Sequence, residues 1–364
     1  MRTNIISFPM DLQYPIEKYD LLENLLFFDI ETTGFSPDSS FVYLIGCIIY
    51  SKETHDFQVT QWFAESKQEE NILLHTFFDF AKDYNTLVHY NGQGFDMPYL
   101  SKKCRSYNLP YGFSNFSSLD LYRCIAQYKK LLKLPQMKQK SIEEFLEIYR
   151  DDPFSGGELI SVYEAYLAHP DNQEHYQKLI QHNLDDLRCM VRILPILSYS
   201  DFFQGGFSIT GYTQSKKEHE ENRGEIIFEI EPEISLPKRI SFGNQEFYFT
   251  GFKNRCKLKV RLYTGELKYF YPNYKDYYYL PEEDTSIHKS VAFYVDKDFR
   301  TQAKAANCYS RKTGQFLPQY EEIVTPYFKR EYKDKMTYFE LTEEFIINSG
   351  LLQQYILHIF RYLS

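Results

Sequence analysis

Asp29 with Glu31, Asp96 alone, and Asp186 with His182 stand in three short segments, and their types and spacings suit a site for hard cations. The first pair closes the apolar run Leu25-Leu26-Phe27-Phe28-Asp29-Ile30-Glu31, which reads as a buried strand ending in a Thr-Thr-Gly turn. Side chains alternate along a strand, so the two carboxylates share one face. Carboxylates held together repel unless a cation lies between them. Magnesium and manganese take such oxygen ligands, commonly one or two carboxylates plus the phosphates of a substrate.

The other two segments must be placed by their own elements. Asp96 follows Asn91-Gly92-Gln93-Gly94-Phe95 after a second strand-like run, Thr86-Leu87-Val88-His89-Tyr90. Pro98 suits the first turn of a helix with Asp96 near its cap, a place where aspartate needs no further role. The third segment, His182-Asn183-Leu184-Asp185-Asp186, reads as a helix. Ile180, Leu184, Leu187 and Val191 fall on one side, His182 and Asp186 on the other. The four-residue spacing favours Asp186 over Asp185, which stays a candidate as a near neighbour. Taken singly, each segment also fits a solvated strand edge, a helix cap or a surface pair.

Together the segments resemble a family. Phe28-Asp29-Ile30-Glu31-Thr32-Thr33-Gly34 resembles the first motif of the DnaQ-like, or DEDD, 3′–5′ exonucleases. Tyr90 to Leu100 resembles the second, in the form seen in proofreading domains of family B DNA polymerases. His182-Asn183-x-x-Asp186-Leu187 resembles the third. The pattern is similar to that of the YprB-like group of ribonuclease H-like exonucleases and covers residues 22 to 200. The resemblance implies Asp29, Glu31, Asp96 and Asp186 as acids holding two divalent cations, Mg or Mn. It implies His182 as the residue that orients or deprotonates the attacking water, in hydrolysis of phosphodiester bonds of single-stranded, 3′-ended nucleic acid. One departure matters. The family places a histidine five residues before the last aspartate or a tyrosine four before it, and here a histidine sits at the tyrosine spacing. Asn91 is a candidate for binding the terminal nucleotide, and a turn-former beside Gly92 accounts for it equally. Two alternatives stay open: a nucleic-acid-binding adaptor without turnover, and an endonuclease.

Composition neither makes nor breaks this reading. The chain of 364 residues is long enough for two cores. Its net charge of −9 is unusual for a nucleic-acid binder, but local basic tracks coexist with it. Lys129, Lys130, Lys133, Lys138 and Lys140 have no acid among them, and Glu266 is the sole acid between Lys253 and Lys275. The six cysteines show no CxxC or zinc-like spacing and suit reduced core thiols. No signal peptide and no apolar run near the roughly 18 residues of a membrane span are evident, so a cytoplasmic protein without membrane association is expected.

The elements follow from periodicity. Residues 25–64 read as strands, 68–83 as a helix, 86–90 as a strand, and 96–200 as largely helical with breaks at Pro110, Pro135, Pro153 and Pro170. This predicts an α/β fold: a ribonuclease H-like mixed sheet flanked by helices over residues 1–204, then a linker over 205–224 that holds a polar run to Asn222. A smaller α+β domain follows over 225–364. There Lys257 to Leu262 alternates charged and apolar residues. A turn at Thr264-Gly265 would fold it against Leu267–Tyr271 as a hairpin with a basic face. Lys257, Lys259 and Arg261 are candidate phosphate contacts, and Tyr269 and Tyr271 candidate stacking platforms for bases. If this face binds no nucleic acid, a protein partner is its alternative role.

Overall fold

The computed structural model describes residues 1–150, 156–216 and 223–364. Pro153 and the polar residues 217–222 lie outside the described residues. The chain divides into two compact units, 1–200 and 201–364.

Among the described residues the first unit is built on six strands: β1 (Arg2–Phe8), β2 (Leu25–Thr32), β3 (Val42–Ser51), β4 (Asp56–Phe63), β5 (Thr86–His89) and β6 (Ser117–Asp120). Their order is β1-β4-β3-β2-β5-β6. The pairs among β1 to β4 are antiparallel, whereas β5 runs parallel to β2 and to β6. Helices α1 (Glu70–Ala81), α2 (Asp96–Ser106), α3 (Leu121–Ile125), α4 (Gln139–Phe145), α5 (Gly156–Ala168) and α6 (Gln173–Arg192) complete it. A mixed sheet with packed helices is the architecture the resemblance implies. β1 and β6 were absent from the sequence reading, because β1 lies at an edge and β6 has only four residues, too few for a clear period.

β2 is central, and Leu25 to Phe28 are all at most 1% exposed, as a strand covered on both faces requires. Leu26, Phe28 and Ile30 pack with Leu73, Leu74 and Phe77 of α1 and Leu100 of α2. A second cluster sets Tyr43, Leu44 and Phe63 against Tyr163 and Tyr166 of α5 and Ile180 of α6, with Tyr43 stacked on Tyr163 at 4.2 Å. Asp29 and Glu31 belong to the face of β2 opposite Leu26, Phe28 and Ile30.

α7 (Leu197–Phe203) spans the division between the units. The second unit holds β7 (Phe207–Lys216), β8 (Arg223–Pro232), β9 (Leu236–Gly243), β10 (Phe247–Lys253), β11 (Arg255–Phe270), β12 (Tyr277–Leu280), β13 (Thr285–His288), α8 (Lys289–Ala292), β14 (Thr301–Gln302), β15 (Tyr309–Gln319), β16 (Tyr327–Phe328), β17 (Thr337–Glu340), α9 (Glu343–Ile347) and α10 (Ser349–Leu363). Eight strands form an antiparallel sheet and β13-β12-β14 a small one. Phe202, Phe249 and Phe360 meet at 5.1–5.5 Å in its core.

Two expectations fail here. Residues 207–216, assigned to a linker, form β7 and pair with β8 from Phe207↔Pro232 onward, because cross-strand pairing outweighs a polar local sequence. The expected hairpin does not turn at Thr264-Gly265. β11 runs straight through for 16 residues, and from Tyr263 to Phe270 it pairs with β15, with Gly265 opposite Gly314. Thr-Gly lacks the Asn or Asp that favours a two-residue hairpin turn, so the long-range partner prevails.

Candidate metal centre

Asp29 is placed by the approach of α6 to the sheet. It stands opposite Gly46 in the β2–β3 register. A Cβ at Gly46 would lie 2.0 Å from Oδ1 of Asn183 and 2.6 Å from Leu187, so only glycine lets α6 come this close. Into that space Asn183 brings its amide, and Nδ2 donates to Oδ2 of Asp29 at 2.9 Å. Gln61, fully buried on β4, donates from Nε2 to Oδ1 of Asn183 and to the Ile180 carbonyl, each at 2.9 Å. Asp29 is thus held by a relay of two amides reaching across the sheet. Burial pushes its carboxyl well above the usual range, and the charges of Asp96 and Asp186 push it further.

Asp96 opens α2, where the loop after β5 delivers it. Asn91 sits at φ 62°, a left-handed turn conformation, and Asp120 at the end of β6 fixes the loop. The Asp120 carboxylate accepts the N–H groups of Asn91 (2.9 Å) and Gln93 (3.2 Å). His89 accepts the Gly92 N–H at 3.0 Å, and burial lowers its pKa to about 4. Asp96 is 7% exposed, and its charge acts on the carboxyl of Asp29 on β2. Burial raises its pKa to about 7.

The third segment completes the cluster. His182 is 4% exposed, and its Nε2 lies 3.3 Å from Oδ2 of Asp186 and 3.7 Å from Oε1 of Glu31. Ligand atoms of Glu31, His182 and Asp186 all fall within 4.8 Å of one another. Asp185 turns away and accepts from Gln181 at 2.9 Å, so helix geometry separates the two adjacent aspartates. The other oxygen of Asp186 accepts from Arg150, whose guanidinium also meets Glu143 at 2.9 Å. Gln139 donates to the backbone carbonyl of Asp186 at 2.9 Å.

The chain therefore brings Asp29, Glu31, Asp96, His182 and Asp186 together, with Asn91 exposed on the loop that leads to Asp96. Lys257, Lys259 and Arg261 belong to the second unit. There Lys259 pairs with Glu225 at 3.0 Å and Lys257 with Glu229 at 3.5 Å, so the expected basic face is partly neutralised by β8. Sequence reasoning gave no role to Gln61, Asn183, Asp120, Glu143 or Arg150. Only Asn183 carried a signal, its place inside the third motif.

Residues 26–198 match the family model of the RNase_H superfamily, and the mixed sheet with its packed helices has a ribonuclease H-like fold. No curated protein matches the chain. Solved structures that it is similar to include the family B DNA polymerase of Pyrobaculum calidifontis, at 14% identity and a TM-score of 0.38. That alignment covers 67% of this chain and 33% of the polymerase. A product-bound exonuclease I shares 11% identity at a TM-score of 0.34, over 56% of this chain and 58% of its own. The zinc-bound E. coli ExoI–ssDNA complex shares 15% at 0.29, over 56% and 54%. The chain thus spans a third of the polymerase and a little over half of exonuclease I.

Proposed function

We propose that the first unit is a nuclease, a divalent-metal-dependent 3′–5′ exonuclease of single-stranded nucleic acid, and that the second unit helps to hold the strand. The observation that carries this is the meeting of Asp29, Glu31, Asp96, His182 and Asp186, drawn from two helices and one strand. The four carboxylates, all oxygen donors, fit hard divalent cations. Crowded carboxylates whose pKa values rise through burial and mutual repulsion are the counterpart that such a charge would relieve.

Asp29, Glu31, Asp96 and Asp186 would hold two cations, Mg or Mn. Bound there, the metals supply an activated water and offset the charge on the phosphate. The side chains do the rest. His182 takes the proton from the attacking water, and the imidazolium so formed is stabilised by the carboxylates 3.3 and 3.7 Å away. Arg150 neutralises the outer oxygen of Asp186 and leaves Oδ2 to the cluster. Asn183 and Gln61 fix Asp29 before substrate arrives, so that little reorganisation is needed during reaction. Asn91, exposed at the loop tip, would contact the terminal nucleotide.

The test is stepwise shortening of a 5′-labelled single strand with Mg²⁺ or Mn²⁺, as unlabelled mononucleotides leave its 3′ end. A strand blocked at its 3′ end and a circular strand should persist. Cutting of the circle would replace the reading with an endonuclease, and no release from any DNA or RNA strand would leave a binding protein.

A further inference from the structure

We propose that a tyrosine-walled cavity in the second unit binds the bases of a single-stranded nucleic acid by stacking. The choice of ligand rests on the nuclease reading of the first unit. The cavity itself is independent of it.

A cavity of about 520 Å³ opens where β11 ends, a size in the roughly 300–1,000 Å³ range of ligand sites. Tyr269, Tyr271, Tyr274, Tyr327 and Tyr332 line it together with Lys329. Two of these rings are locked by others. Tyr271 stacks on Tyr277 at 4.4 Å and 19°, and Tyr277 meets His288 edge-on at 5.3 Å. Tyr269 stands edge-on to Tyr271 at 5.3 Å and packs on Phe328 at 6.0 Å. Tyr332, 43% exposed, leans on Phe270 at 5.3 Å. Rings already fixed lose little entropy when a flat ligand stacks on them.

The charge at the cavity selects the ligand. Among the described residues no acid lines this cavity. Lys329 does, and among the described residues no carboxylate pairs with its ammonium. Lys268, whose backbone bonds both ways to that of Lys329, reaches Glu331 at 3.0 Å. Glu331 is 72% exposed, and such a surface pair is weak enough for a phosphate to displace. Aromatic platforms beside cations are the means by which single strands are held without sequence preference. A proline-rich peptide also docks on aromatic walls, but it makes no use of an unpaired lysine.

The test is fluorescence anisotropy of the full chain in EDTA, where metal-dependent turnover is off, with labelled dT12 and an abasic 12-mer of equal phosphate count. The unaltered chain should bind dT12 roughly 5- to 150-fold more tightly than the abasic strand, the range for one stacked base. Tyr269→Ala/Tyr271→Ala should bring dT12 down to the abasic level. Tyr332→Ala, at an exposed ring whose loss leaves the core intact, should lose part of the preference, and Tyr332→Phe should keep it. Lys329→Ala should weaken both strands alike. Equal affinity of the unaltered chain for the two strands would overturn the proposal. So would an undiminished preference in the tyrosine variants, or displacement of dT12 by nothing but decaproline. Hydrolysis of thymidine 5′-p-nitrophenyl phosphate with Mn²⁺ by the unaltered chain tests the nuclease reading by itself, so the two can fail separately.

Discussion

At the scale of single residues, the acids carry the account. Asp29→Ala or Asp186→Ala should abolish metal-dependent turnover, and Asp29→Ala should leave the melting temperature of the metal-free chain unchanged or raised, since it removes a charge from a crowded set. A lower melting temperature would mean that this carboxylate serves the fold. His182→Ala should slow release roughly 10²–10⁴-fold if it moves the proton, and an unchanged rate would make it a bystander. Asp96 gives a pH dependence. Its pKa is about 7 in the folded chain against an ordinary 3.8, so between about pH 4 and pH 7 the folded state holds a proton that the unfolded state releases. Stability of the metal-free chain should therefore fall as pH rises through that window, and Asp96→Asn should flatten the fall, as read by melts at stepped pH. The acids were legible because their chemistry dictates residue type and local spacing. Gln61 and Arg150 were not, since an amide or guanidinium acquires its role only when another element comes within reach.

At the scale of elements, the contact between α6 and β3 decides where Asp29 points. Gly46→Ala would drive a methyl into Asn183 and Leu187, and overpacking of this kind costs about 1–3 kcal/mol. Urea unfolding should show that loss, and turnover should fall beyond it because the amide relay to Asp29 is broken. Stability and turnover equal to those of the unaltered chain would mean that the helix approaches otherwise. The apolar side of α6 was readable from its period, with Leu187 0% exposed. That His182 is buried rather than on a wet face was not, because periodicity separates apolar from polar and is silent on what a polar face packs against. The straight run of β11 teaches the same lesson: a local Thr-Gly signal yields to a partner strand some fifty residues away in sequence.

At the scale of the whole molecule, an acidic chain would be asked to hold a polyanion. Two of the three cations read as a basic face are already paired with Glu229 and Glu225. Replacing Lys257, Lys259 and Arg261 together by Ala should therefore change the log–log salt slope of binding by no more than one phosphate contact, about 0.7–0.9. A drop of two or three contacts would restore the basic face as the main track. The mixed sheet of the first unit was legible because its apolar strands carry a plain pattern, whereas the second unit, joined by pairings distant in sequence, showed little beyond alternation. Among the described residues no helix is long and apolar enough to cross a membrane. The most direct test of the central claim is calorimetric titration of the metal-free chain with Mn²⁺. Saturable binding that disappears in Asp29→Ala and in Asp186→Ala is the predicted result. Equal heats in all three proteins, or none in the unaltered chain, would contradict a metal centre built by these acids.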